Sequence, residues 1–494
     1  MDLESVRQAG VDGVRLLRAS VLLSDGRWWT LADLVRETAT SRRTIESLLR
    51  ELPLEHRGER FRIPPDQARE YNTGTLADIS DPVAHLTPDY AEALKRLDGL
   101  IAAGPRGRQA LDHVAATPDT VLRRALLLGA RFRLDGARLL CVGDHDLTSL
   151  AVRMIHPHVE VTVVDVDERI LAHIDAAGLG VRTLWADLRL GLAPSARGWA
   201  DLAITDPPYT AAGVGLFTGR AAEGLRDRDQ GRILLAYGAS ERTPALALKV
   251  QSALHDLNLL NEAIFPDFNR YYGAEAIGSA ADLYVLRPTA KTWPAVAARI
   301  DGLATAIYTQ GPQAVESAPA AEHRLPEDAE YDLLVGDWAR DTLPRVPRVR
   351  LSTWLAKPYA SDPERVAIAV PAGLETAIPR LLLATRARHI TACTQAPPPT
   401  PPAYLSTVYA LTVKGTTIEA SRRPPAPGDL VRKILDNAHG KAANTWREGL
   451  TSARGLTKNQ ARALVPEWAA AAVLELPEHR LEGLQASVEA TLSG

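Results

Sequence analysis

The stretch ARLLCVGDHDLTSLAVRMIHPHVEVTVVDVDERI (137–170) decides the fold. An apolar run ends in one glycine and three polar residues, a helix start follows at Thr148 and Ser149, and a second apolar run ends at Asp165. Two short apolar runs around a helix-length segment mark a βαβ unit, and therefore a parallel sheet. Working outward, VRTLWAD (181–187), DLAITDPP (201–208) and GRILLAY (231–237) read as further strands, with DERILAHIDAA and ERTPALALKVQSALHDL as helices between them. LNEAIF (259–264) and ADLYVLRP (281–288), separated by a polar aromatic loop, read as a closing antiparallel pair.

Five parallel strands closed by such a pair make a seven-stranded, methyltransferase-like Rossmann sheet over 136–290, an α/β fold whose ligands bind at the carboxyl ends of the strands. On its amino-terminal side, WWTLADLVRETA (28–39), a Ser41 cap opening SRRTIESLLREL (41–52), and LEHRGERFRI (54–63) with a wing at Gly58 predict a winged-helix domain over 1–70. Its second helix carries Arg42, Arg43 and Arg50, but twelve Arg face twelve Asp plus Glu in 1–70. That balance predicts packing on the next domain or a dimer contact rather than a grip on DNA. Residues 71–135 are expected to be a helical connector, and ESAPAAEHRLPEDAE (316–330) a linker.

Residues 328–425 suggest a second α/β module. YDLLVGDWARDTLP (331–344) echoes ADLAITDPPYTAAG (200–213), RVAIAV (365–370) echoes RILLAY, and LSTVYALTV (405–413) echoes ADLYVLRP. A degenerate partial copy of the sheet's second half, lacking the first nucleotide-binding unit, and an unrelated module are equally open. Residues 426–494 read as a helical C-terminal region. The chain's 494 residues, 46% hydrophobic and 24% charged, suit several globular cores. No apolar run is long enough for a membrane span, the start MDLESVRQAG is acidic, and the two cysteines suit a reducing, cytoplasmic setting. A net charge of −3 weighs against nucleic acid as the partner.

The chemistry is expected at the strand ends. Gly143 turns the chain after the first strand; Asp165, about twenty residues on, suits the two hydroxyls of a ribose; Asp187 suits an adenine amino group. Asp206 stands before two prolines, which remove backbone donors and hold the chain extended. An alkyl amine must lose a proton before it attacks, at a cost of roughly 4–5 kcal/mol at pH 7. Asp206, with Asp144 across the cleft, is expected to bind the ammonium and relay that proton. Tyr237, Asn269, Tyr271 and Tyr272 are expected to wall the substrate channel. No metal is expected: the twelve histidines show no ligand spacing.

At these motifs the chain resembles the branched-chain polyamine synthases, or bis-aminopropyl spermidine synthases, over about residues 1–290. The resemblance rests on GDHDLTS (143–149), VVDVDER (163–169), DLRLGL (187–192), DPP (206–208) and DFNRYYG (267–273). It implies transfer of an aminopropyl group from decarboxylated S-adenosylmethionine to an amine of a polyamine, releasing methylthioadenosine. It further implies that Gly143 and Asp165 hold the nucleoside, Asp187 the adenine, and Asp144, Asp146 and Asp206 the amine. Two positions depart from the pattern: His145 stands where the family has an acid in GDDD, and Tyr209 where it has an acid in DPPE. A less charged amine, or an amine on a larger molecule, then becomes a candidate substrate, and His145 a candidate base or a solvent-facing turn residue.

Read at face value, DPPY also suits an N-methyltransferase acting on a small molecule or peptide with ordinary S-adenosylmethionine. Asp144 and Asp146 would repel that cofactor's carboxylate, which favours the decarboxylated donor. A winged-helix regulator sensing a nucleoside or polyamine is the non-enzymatic alternative. The expected partners are a small-molecule amine and a second copy of the chain in a homodimer.

Overall fold

The computed structural model describes residues 3–72, 81–301, 306–311, 314–315, 323–326 and 330–493. Helices Gly13–Leu23, Leu31–Thr38 and Arg42–Leu49 lead into a hairpin of β1 (Glu55–Arg57) and β2 (Arg60–Arg62). Leu16, Leu34, Ile45 and Phe61 close a small core between them. Thr30 caps the second of these helices in a reciprocal pair with Asp33. Ser41 begins the third, but its hydroxyl does not cap it. It donates instead to Glu241 Oε1 at 2.6 Å, and the Thr44 hydroxyl does the same at 2.8 Å. The start of this helix is therefore docked on Glu241. Gly278, at φ +84°, passes this module so closely that a Cβ would come within 2.7 Å of Ala39.

The connector contains helices Ala91–Ala103 and Pro118–Arg131, and between them β3 (Ala115–Ala116). The strands β4 (Arg138–Val142), β5 (Glu160–Asp165), β6 (Arg182–Trp185), β7 (Leu202–Thr205), β8 (Arg232–Tyr237), β9 (Leu260–Tyr272) and β10 (Ala280–Arg287) follow. With β3 they form an eight-stranded sheet in the order β3-β9-β10-β8-β7-β4-β5-β6. Strands β4 to β8 run parallel, and β9 and β10 close the sheet antiparallel. Every residue of β7, and all but the first of β4, is buried, as strands covered on both faces require. One expectation fails: 267–273 is no loop. Residues Asp267–Tyr272 belong to β9, with Asn269 and Arg270 paired to β10 and Tyr271 and Tyr272 to β3. A register shift between Ala281 and Leu283 marks where β9 bends to reach both neighbours.

A second, six-stranded sheet is built from β11 (Leu333–Val335), β12 (Arg348–Val349), β13 (Arg365–Ala369), β14 (His389–Cys393), β15 (Tyr409–Lys414) and β16 (Thr417–Arg422). Its order, β12-β11-β13-β14-β16-β15, and its strand directions repeat those of β5-β4-β7-β8-β10-β9. The sequence echo is thus displaced by one strand: LLVGDW (333–338) stands where LLCVGDHD (139–146) stands, and RVAIAV matches β7 rather than β8. The first strand is present here; among the described residues β6 and the short β3 are the strands with no counterpart. The expected linker falls largely outside the described residues. Helices including Leu430–Asp436 and Ala442–Arg454 pack around the fully buried Trp446. The second sheet meets the first through Arg380, which bonds Glu168 and lies 4.2 Å from the centre of the Trp185 ring. Among the described residues no helix is long and apolar enough to cross a membrane.

Candidate active site

The carboxyl ends of β4, β5 and β7 open on one cavity of about 830 Å³, and Asp144, Asp165 and Asp206 all line it. Gly143, at φ +71°, ends β4 in a conformation costly for residues with a Cβ. That turn delivers the Asp144 amide to Asp165 Oδ2 at 3.0 Å, while the Asp167 amide reaches Oδ1 at 2.8 Å. Asp165 is therefore fixed at the end of β5, with burial holding its carboxyl above the usual range.

Asp144 turns its carboxyl toward the Ser149 amide, in the first turn of the helix Thr148–Ile155. Burial outweighs that bond and pushes it up to about 8. At neutral pH Asp144 thus mostly carries a proton, and the expected second anion of the cleft is absent. Asp146 is occupied as well: its Oδ1 accepts from the Ala116 amide at 2.9 Å and its Oδ2 from Arg124 Nη1 at 2.8 Å.

Arg124 lies outside every motif of the sequence, yet it organises the site. It is 2% exposed, and donates to Asp146, to Asn269 Oδ1 at 2.8 Å, to Asp206 Oδ2 at 2.6 Å and to the Tyr271 hydroxyl at 3.2 Å. The signal was in TVLRRALLLGARF, where Arg124 falls on the apolar face with Val121, Ala125 and Leu128. A charge on that stripe requires a buried partner.

Asp206 accepts from Tyr209 at 3.0 Å through Oδ1, and from Tyr271 at 2.7 Å through Oδ2 beside Arg124. Burial and the charge of Asp146 lift its carboxyl to about 7, against the pull of Arg124. His145 is not a solvent-facing turn residue. Its half-buried ring stacks on His113, centres 4.3 Å apart, and burial lowers both imidazoles, His113 to about 3. His145 Nδ1 has no hydrogen-bond partner among the described residues.

Other placements differ from expectation. The Asp187 carboxylate is taken at both oxygens by Arg189, at 2.9 and 2.6 Å, so it has no free edge set aside for an adenine amine. Arg189 lies 5.4 Å from the Tyr308 ring, and Tyr308, Ile307 and Thr309 line the same cavity. Asn269 is fully buried and orients Arg124 rather than walling a channel. Tyr237 does not line this cavity; its ring meets Tyr209 edge-on at 5.4 Å and faces a second one. Tyr209, Tyr271 and the exposed Tyr272 do line it. Among the described residues no three His, Cys, Asp or Glu are arranged to hold a metal ion.

An uncharacterized protein of Methanocaldococcus jannaschii is 37% identical over 174 residues, 34% of this chain and 43% of that protein. The N(4)-bis(aminopropyl)spermidine synthase of the same organism is 27% identical over 191 residues, 37% of this chain and 54% of that enzyme. This chain therefore spans about half the length of these relatives. The crystal structure of a mutein of the branched-chain polyamine synthase from Thermus thermophilus, in complex with N4-aminopropylspermidine and 5'-methylthioadenosine, superimposes with a TM-score of 0.42. It is 21% identical, and the match covers 58% of this chain and 90% of that one. Residues 92–320 match the model of the branched-chain polyamine synthase A C-terminal domain.

Proposed function

We propose that the protein transfers an aminopropyl group from decarboxylated S-adenosylmethionine to an acceptor amine, releasing methylthioadenosine. The observation that carries this is Asp206: a carboxyl at the cavity wall, oriented by Arg124, Tyr209 and Tyr271, with an affinity for protons near neutrality. Moving a proton from an ammonium near 10.4 to an ordinary carboxylate near 3.9 is uphill by roughly 9 kcal/mol. With Asp206 at about 7 the cost falls to roughly 4.6 kcal/mol, within reach of a bound, oriented pair.

The cavity suits the donor. A Cβ at Gly143 would stand 3.4 Å from the Phe217 ring, an ordinary contact, so it is the φ of +71° rather than lack of space that calls for glycine beside Asp165. Asp165 accepts the ribose hydroxyls, Asp187 holds Arg189 against Tyr308, and that planar pair covers the adenine. The donor supplies an electrophilic carbon on a positively charged sulfur. Asp206 binds and orients the ammonium and accepts its proton; the freed lone pair forms the new N–C bond as the C–S pair returns to sulfur. The tyrosines at 209 and 271 exclude water from the attacking nitrogen and hold Asp206 in one orientation.

N-methyl transfer from the full cofactor remains the second reading, for a specific reason. With Asp144 protonated and Asp146 paired to Arg124, the glycine turn repels a carboxylate less than its acid count implies. Incubating the protein with each donor and an amine, followed by mass analysis of the nucleoside product, separates the two. Methylthioadenosine supports aminopropyl transfer, whereas S-adenosylhomocysteine alone overturns it. The three helices and hairpin of residues 13–62 are best described as a winged helix turned to docking, with the second sheet a degraded copy of the first: Trp338 fills the position of His145, and Ala369, one residue beyond the Val335–Ile368 pair, fills that of Asp206, one beyond the Val142–Thr205 pair.

A further inference from the structure

We propose that a second cavity, between the N-terminal helices and the end of β8, binds an alkylammonium ion. It measures about 720 Å³ and lies on the far side of Tyr237 from the first. Asp12, Glu241, Asp267 and Asp282 face it, against Arg15 and Arg242. Arg15 is spent on Asp267 at 3.0 Å and on the Ala39 carbonyl at 2.6 Å, so negative charge is left in excess.

Two further observations point to a cation with an alkyl body. Tyr237 is 3% exposed, lines the cavity, and its hydroxyl finds no hydrogen-bond partner among the described residues. An ammonium donates to such an oxygen and to the carboxylate of Asp282, which takes the Asp267 amide at 2.8 Å through Oδ1 and has the Tyr284 hydroxyl beside it. Burial and the neighbouring Asp267 raise the Asp282 carboxyl, a penalty that a bound cation relieves. Leu16, Ala247, Ala280 and the Tyr284 ring supply apolar wall for methylenes and a face for cation–π contact. The site is separate from the reaction proposed above, since the Tyr209–Tyr237 contact stands between the two cavities.

Calorimetric titration of the full chain with spermidine tests this. One binding event is expected to weaken at least tenfold in Asp282→Asn and to fall steeply with added salt. Ala247→Phe, placed on a partly buried helix position that borders the cavity, should weaken the same event without removing any charge. Asp206→Asn should leave that event in place, so a failed transferase assignment and a failed second site are told apart. Binding unchanged in both Asp282→Asn and Ala247→Phe, or binding abolished by Asp206→Asn alone, overturns the proposal.

Discussion

Arg124 Nη2 stands 2.6 Å from Asp206 Oδ2, so the acid that DPPY presents at the cleft is one end of a buried Asp146–Arg124–Asp206 chain. The guanidinium sits behind the carboxyl and offsets its charge without occupying the oxygen that Tyr209 shares with the cavity. Its position explains how the two carboxylates coexist at one wall of the cavity.

Arg124→Gln should unfold early. Removing one partner of a buried pair leaves the others uncompensated, at about 3–5 kcal/mol. Urea denaturation should show the loss, and adding Asp146→Asn should recover part of it. Equal stability of the single variant and the parent would mean that the triad contributes nothing net.

Asp206→Asn should lower turnover at saturating donor by at least about a hundredfold while leaving nucleoside binding nearly intact. In the parent, turnover should rise with pH through about 7, where the carboxyl ionises and becomes able to take a proton. The ascending limb should vanish from the variant's residual rate.

Asp144 makes a stability prediction with a definite sign. Its folded carboxyl, at about 8, lies above the unfolded value near 3.9, so the folded state holds an extra proton between those limits. That contribution is full below about pH 4 and is lost as pH rises to 8. Asp144→Asn should therefore match the parent near pH 4 and exceed its melting temperature at pH 8; a constant offset across that range would refute the assignment.

His145→Asp places an acid beside Asp165 and removes the ring stacked on His113. It should shift acceptor preference about tenfold toward triamines over diamines, read as the ratio of kcat/KM values. An unchanged ratio would show that position 145 does not meet the acceptor.

Much of the site was legible in the chain because strand-end chemistry is local. Gly143, Asp165, Asp187 and Asp206 each follow an apolar run of strand length, and all line one cavity. The Tyr271 and Asn269 pattern was legible as a cluster but not as a strand, because alternation in DFNRYY is masked by aromatic residues that face polar partners. Tyr237 was misplaced by one side of a strand end: the β8 terminus serves two cavities, and only the packing of Tyr209 decides which it joins. The second sheet's order was misaligned because short parallel strands share one composition and carry no register of their own.

Periodicity, turn residues and short motifs by themselves determined the βαβ succession, the acids at the strand tips and the likeness of residues 92–320 to a known domain, since each depends on neighbours a few positions apart. The charge those acids carry was decided only in three dimensions. Arg124 comes from a helix before the sheet and Tyr271 from a strand near its end, and burial between them sets Asp206 near neutrality and leaves Asp144 protonated. Proton affinity depends on the local dielectric and on charges that the fold brings together, and neither is written in the order of residues.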